Sequence, residues 1–193
     1  MWLLALFLAL APPFWETKPP AEWTPDEVNQ LLSDSPWAQL SSGAGRSPSE
    51  APPVQMYLAS ALPVREAEKM ARRFGRRVAT DPLYEEYLAF LEEDRGRSIV
   101  LAIRYTDRTA LEQSAEARRL EESVLRAGKK KIRMSGHFPP SSSDPYLRLV
   151  FPRELEPGDR IVTFQLYLPG VPLPFRQVQF DVSKMVYRGQ PAL

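Results

Sequence analysis

Proline constrains this chain more than any other residue type, because it fixes φ and removes a backbone donor, so long regular elements avoid it. There are 20 prolines; nine lie at or before Pro53 and nine at or after Pro139. Between Val64 and Phe138 only Pro82 interrupts. The middle of the chain is therefore where long helices can run, with proline-punctuated structure on either side. Hydrophobic residues make up 44% of the 193 positions, enough to bury the core of one ordinary domain.

The sequence has no cysteine and one histidine, His137. Disulfides, thiolate catalysis, iron–sulfur clusters, cysteine-based zinc sites and acylation of an N-terminal cysteine are excluded. Most transition-metal sites need several imidazoles or thiolates, so no metal or other cofactor is expected. Lys and Arg number 25 against 24 acidic residues, a net charge of +1. No global field steers nucleic acid, no specific nucleic-acid binding is expected, and any electrostatic partner must meet a local patch.

Trp2 to Ala11 reads WLLALFLALA, an uncharged apolar run. A membrane-spanning helix needs about 20 such residues, so the run is too short to cross and fits the apolar core of a secretory signal, with small residues at Ala9 and Ala11. No Lys or Arg precedes it, and Pro12 and Pro13 follow directly, so cleavage elsewhere or persistence as an interfacial anchor are the variants of this reading. The competing assignment is an N-terminal strand or helix of the core.

Residues 12–22 should run extended. Trp23-Thr24-Pro25-Asp26-Glu27-Val28 then carries a helix start: Thr24 as cap, Pro25 at the first helical position, Glu27 completing a capping box, and Trp23 with Val28 as hydrophobic staple. The short helix over about 25–33 docks on the main domain through Trp23 and Trp37. Residues 41–53, SSGAGRSPSEAPP, read as a flexible linker or loop.

Alternation over 54–61 predicts a strand. Pro63 opens a helix with Val64, Ala67, Met70, Ala71 and Phe74 inward and a Glu68–Arg72 pair on its outer side. Asp81-Pro82 starts a second helix with Tyr84, Tyr87, Leu88 and Leu91 as its apolar stripe and Gly96 as its stop. IVLAIRY over 99–105 predicts a central strand covered on both faces. A long helix is expected from about Arg108 to Ala127, with Ala117, Leu120 and Val124 inward, a Glu122–Arg126 pair outside and Gly128 as its end. Strands are expected over 131–134, 146–151, 161–168, around 178–182 and over 185–187. Type II turns are expected at Glu156-Pro157-Gly158-Asp159 and Leu168-Pro169-Gly170.

The fold class is therefore α+β: a mixed or antiparallel sheet with about three main helices and a C-terminal strand meander, preceded by a short capped helix. Four segments follow: a signal-like leader at 1–11, a proline-rich lead-in with a short helix at 12–40, the linker at 41–53, and the α+β domain at 54–193.

Candidate chemistry is sparse. Ser135-Gly136-His137 and Ser141-Ser142-Ser143-Asp144 place serine, histidine and aspartate close in sequence, but no G-x-S-x-G elbow occurs and the composition is that of a surface loop. Glu85-Glu86, Glu92-Glu93-Asp94 and Glu121-Glu122 fall on amphipathic helices, where adjacent acids face water. No catalytic residue is assigned. Two basic runs, Arg72, Arg73, Arg76, Arg77 and Lys129, Lys130, Lys131, Arg133, either complement two helix C-termini or form a patch for an anionic partner. No P-loop, G-x-G-x-x-G, H-E-x-x-H or EF-hand motif is present.

Glu22-Trp23-Thr24 with Ser35-Pro36-Trp37-Ala38, Ser60 to Ala67, Phe151-Pro152-Arg153 and Asp181 to Gly189 together resemble a group of exported bacterial proteins of acidobacterial type with no assigned activity. The resemblance implies an envelope location and carries no functional residues. The expected role is a non-enzymatic exported protein, periplasmic, secreted or held by its leader. It would bind a protein or an anionic envelope polymer through its sheet face or basic ends and touch the membrane through the leader only. The alternative is an extracytoplasmic hydrolase using carboxylates or a serine. Sequencing the N-terminus of protein recovered from the envelope should give a start downstream of the apolar run; an intact Met1 in a cytosolic pool overturns the export expectation.

Overall fold

The structure, a computed structural model, describes residues 12–43, 52–75, 81–105, 111 and 117–193. The apolar leader, most of the expected linker, Arg76 and Arg77, and most of 106–116 lie outside the described residues. Among the described residues no helix is long and apolar enough to cross a membrane.

The lead-in forms α1 (Phe14–Thr17), a 3-10 turn (Pro20–Glu22) and α2 (Pro25–Ser33). The capping box is present in full: Thr24 Oγ accepts from Glu27 N at 3.2 Å, and Glu27 Oε2 accepts from Thr24 N at 2.9 Å. Trp23 and Val28, the two staple residues, are both buried. β1 (Ala38–Leu40) and β2 (Ser42–Gly43) follow, then β3 (Gln55–Leu58), α3 (Leu62–Phe74), α4 (Pro82–Asp94) and β4 (Ser98–Arg104). The remainder is strand: β5 (Val124–Ala127), β6 (Lys130–Arg133), β7 (Gly136–Phe138), β8 (Tyr146–Pro152), β9 (Ile161–Tyr167), β10 (Phe175–Asp181), β11 (Val186–Tyr187) and β12 (Gln190–Pro191).

The α+β class holds, and every strand pairing is antiparallel. Sheet 1 has the order β1-β3-β4-β8-β7 and sheet 2 the order β2-β10-β9-β5-β6. β4 is the middle strand of sheet 1, as its near-continuous apolar run requires, and Ile99 to Ile103 are all buried. Because side chains alternate across a strand, sheet 1 has two distinct faces. Leu58, Leu101 and Leu149 stand on one, toward sheet 2. Between the sheets Phe151 meets Phe164 at 5.2 Å and Phe164 meets Phe180 at 5.9 Å, both edge to face. Tyr57, Ala102, Arg148 and Phe138 form a cross-strand row on the other face, and the helices cover it. The molecule is thus three layers: helices, sheet 1, sheet 2.

The lead-in is tied into this stack. Phe14, Trp15, Trp23 and Trp37 interlock, with Trp15–Trp37 at 5.8 Å and Phe14–Trp23 at 5.6 Å. Trp37 Nε1 donates to Ala192 O at 2.5 Å, and Gly189 N donates to Glu16 Oε2 at 3.0 Å, so the C-terminal hairpin closes over the N-terminal segment. Arg188 and Gly189 both have positive φ, the pattern of a type I′ hairpin turn between β11 and β12.

Several expectations are corrected. No helix continues to Ala127: a 3-10 turn spans Ala117–Glu122 and the chain then enters β5, held between β6 and β9. The apolar set Val124, Leu125 and Ala127 serves a strand as well as a helix turn, and pairing on two sides decides for the strand. Gly128 (φ +53°) turns the β5–β6 hairpin instead of ending a helix. The basic run 129–133 accordingly sits on a hairpin, not at a helix terminus. Glu122 pairs with Arg119 at 3.3 Å, and Arg126 with Gln165, in place of the Glu122–Arg126 pair. Gly170 (φ +69°) fits its type II turn, but Gly158 lacks the positive φ that type requires. There Glu156 N donates to Asp159 Oδ2 at 2.8 Å, and that side-chain contact fixes a different turn. His137 lies on edge strand β7 rather than in a loop. Phe74 of α3 is exposed, and Glu68 faces the sheet.

The capping box carries the start of α2 alone. Thr24→Ala should cost about 1 kcal/mol in urea denaturation, and Thr24→Ser should leave stability close to wild type.

Candidate functional site

Two surfaces have the makings of a site. The first lies between the helix layer and sheet 1. Arg148 of β8 points from the covered face of sheet 1 and is 3% exposed. Its Nη2 donates to Glu68 Oε1 at 2.9 Å and its Nη1 to Asp144 Oδ2 at 2.6 Å. Tyr57 OH donates to the same Glu68 Oε1 at 2.7 Å. Rings surround the guanidinium: its carbon lies 4.4 Å from the centre of Tyr87, 5.2 Å from Tyr84 and 5.8 Å from Tyr146. Arg72 stacks over Tyr84 at 3.2 Å and approaches Asp144 at 3.8 Å.

The elements explain the convergence. α3 presents Glu68 and Arg72 one turn apart. Asp81 starts α4, accepting from Leu83 N and Tyr84 N, and so places Tyr84 and Tyr87 over the sheet. The Ser141 and Ser143 hydroxyls donate to Asp81 Oδ2, which ties the 141–145 loop, and Asp144 with it, to the same point. Burial alone would raise the Asp81 carboxyl, but the two hydroxyls and the two backbone N–H groups outweigh it and hold it below its ordinary value.

Burial also governs the tyrosines. It pushes Tyr84 up to about 12, and Tyr57 and Tyr87 well above the usual phenol range, with the Glu68 charge adding to the rise. Tyr146 is raised chiefly by burial. Over this cluster opens a cleft of about 260 Å³ lined by Leu32, Tyr57, Glu68, Arg72, Asp144 and Tyr146, among others.

The second surface is the outer face of sheet 2. One cross-strand row runs Lys131, Arg126, Thr163, Gln179; the next runs Arg133, Val124, Gln165, Gln177. Arg126 Nε donates to Gln165 Oε1 at 2.8 Å. At one end Phe175, 53% exposed, meets Tyr167 at 5.1 Å, and Arg119 of the 3-10 turn stacks over Tyr167 at 3.9 Å. Depressions of about 320 and 580 Å³ mark this face. The 3-10 turn that carries Arg119 packs against β9 at this end.

The remaining sequence candidates disperse. His137 stands on the face of sheet 1 opposite Arg148 and makes no hydrogen bond to Ser141, Ser143 or Asp144; burial pushes its imidazole down. Glu85, Glu86, Glu92, Glu93, Glu121 and Glu122 are exposed, while Asp94 caps the way into β4 by accepting from Ser98 N and Oγ at 2.8 and 2.7 Å. No group of three or more His, Asp and Glu among the described residues is placed to hold a metal ion. Of the basic runs, Arg72 belongs to the cleft, Arg73 folds back onto Met70 Sδ at 3.8 Å, and Lys130 pairs with Glu156 at 3.0 Å. Lys131 and Arg133 point outward from sheet 2, and Lys129 lies in the hairpin turn. The described parts of the two runs therefore occupy different layers. Sequence reasoning missed Arg148, Tyr57 and the inward turn of Glu68, and it considered Asp144 only beside His137, as part of a surface loop. The one available signal was a charged residue inside the apolar strand YLRLVF.

Fold and surfaces together define a helix layer on two antiparallel sheets, with a partly exposed, cation-bearing face on the second. No family model, no curated protein and no solved structure matches the chain.

The raised phenol values fix a pH dependence. A group whose folded value exceeds its unfolded value of about 10 contributes stability that is complete below that pH and is lost above it. In an alkaline absorbance titration, Tyr57, Tyr84, Tyr87 and Tyr146, four of the seven tyrosines, should stay phenolic beyond about pH 10 and ionise together with unfolding.

Proposed function

We propose that this is a non-enzymatic, exported binding protein that holds an anionic envelope polymer on the outer face of sheet 2. One observation carries the reading. Three cations, Arg126, Lys131 and Arg133, stand on adjacent cross-strand rows of a sheet face left open to solvent, interleaved with Thr163, Gln165, Gln177 and Gln179. Cations at strand spacing match a repeating anion, and the amide and hydroxyl side chains between them match its hydroxyl or amide groups. A face of seven-residue strands is about 20 Å long, enough for several repeats of a polymer chain. The half-exposed Phe175 beside Tyr167 adds a flat apolar surface at one end.

Export is supported by the apolar residues 2–11 and by the absence of cysteine, which makes folding independent of the redox state of the compartment. No second reading is advanced for the serines, since Ser141 and Ser143 are committed to Asp81.

The test is binding of the full chain to polyglutamate, dextran sulfate and neutral dextran at low and high salt. The two polyanions should bind and dextran should not, with affinity falling as salt screens the exposed charges. The double reversal Arg126→Glu with Lys131→Glu should weaken binding by at least about tenfold while leaving thermal stability close to wild type. Equal retention of dextran, or a double variant that binds as well as wild type, overturns the proposal.

A further inference from the structure

The cleft over Arg148 has its own set of unused groups, on the opposite side of sheet 1 from the polymer face. Glu68 is 6% exposed, and among the described residues only its Oε1 accepts hydrogen bonds. Asp144 binds Arg148 through Oδ2, and its Oδ1 accepts none. Arg72 lies over Tyr84, no described residue accepts a hydrogen bond from it, and its approach to Asp144, at 3.8 Å, is longer than a hydrogen bond. All three residues line the same cleft of about 260 Å³. Neither Glu68 Oε2 nor Asp144 Oδ1 is sealed from solvent, so both open into the cleft, where the donor groups of a ligand can reach them.

We propose that this cleft binds a free α-amino acid, its ammonium group received by Glu68 and Asp144 beside the Tyr57–Tyr146 pair and its carboxylate by Arg72. Charge selects this class. Arg148 and Arg72 balance Glu68 and Asp144, so a zwitterion enters without leaving a buried charge uncompensated, whereas a simple anion or cation does not. Geometry agrees. Arg72 and Asp144 are near neighbours, as are the two charged groups on a single α-carbon. A guanidinium stacked on one face keeps its edge N–H groups for bidentate binding of a carboxylate. Tyr57 and Tyr146, 5.1 Å apart and edge to face, supply aromatic surface for the ammonium. The volume lies below the range of drug-sized sites, which suits a molecule of this size.

The proposal is independent of the polymer-binding face and is tested on the full chain by titration calorimetry and amide NMR. The panel is the free proteinogenic amino acids, with N-acetylalanine, alanine amide and ethylamine as single-charge controls. At least one amino acid should bind and shift amides of α3 and the 141–146 loop, with each control at least about tenfold weaker. Arg72→Gln, at a partly exposed position, should lower that affinity at least about tenfold while the amide spectrum stays that of the folded protein. Tyr146→Leu, on the cleft wall, should weaken it independently. No binding by any amino acid, equal binding of a single-charge control, or full affinity in both variants overturns the assignment.

Discussion

The arrangement of the helix layer depends on one buried cation. Arg148 sits inside the molecule on a strand whose other residues are apolar, and burial alone would favour loss of its charge. Glu68, Tyr57 and Asp144 outweigh that effect and keep it charged. A guanidinium in such a place needs its charge compensated, because an uncompensated buried charge costs several kcal/mol. Glu68 and Asp144 supply that compensation through Nη2 and Nη1, while the buried Nε has no hydrogen-bond partner among the described residues. Glu68 must therefore come from α3 and Asp144 from the loop before β8, and both must arrive with their oxygens at hydrogen-bond distance. The ion pairs fix where α3 lies on sheet 1 more sharply than apolar contact alone, which is indifferent to small slides. Buried pairs of this kind are weak contributors to net stability, and losing one partner costs more than the pair contributes, because it strands a buried charge.

Asp81 extends the same constraint to α4. It caps the helix and gathers Ser141 and Ser143, so one carboxylate couples the start of α4 to the loop that carries Asp144. The tyrosines that α4 supplies then enclose Arg148, which keeps water from competing for its ion pairs. Structure and candidate site share these residues. The groups that bond inward hold the layers together, and those left over, Glu68 Oε2, Asp144 Oδ1 and the edge of Arg72, face the cleft.

The two sheets divide their labour for a topological reason. Sheet 1 is covered on both sides and reads as apolar runs, β4 most of all. Sheet 2 has one inner face, filled by Phe164, Phe180, Val162 and Val178, and one outer face on which Arg126, Lys131, Arg133 and Gln179 are exposed. Its strands β9 and β10 accordingly alternate, and apart from Tyr167, which Phe175 and Arg119 cover, their outward positions are at least partly exposed. Glutamine, threonine and arginine at those positions are thus available for recognition.

Much of this was legible along the chain. The capping box at Thr24–Glu27, the Asp81-Pro82 start of α4, the both-sides-covered β4 and the alternating β9 each rest on neighbours within a few residues, where propensity and period decide. Legibility failed where a distant partner decided. Val124 to Ala127 satisfies either period, and only β6 and β9 on its flanks make it a strand. Glu68 and Arg72, spaced to pair on a helix surface, are separated because Arg148, 80 positions on, takes Glu68. By itself the sequence determined the α+β class, the helix starts, the lack of thiol chemistry and the near-zero net charge. Tertiary structure alone decided which charges are buried, which sheet face stays open and which groups meet in the cleft, because long-range pairing and desolvation act between residues whose separation along the chain carries no information about their distance in space.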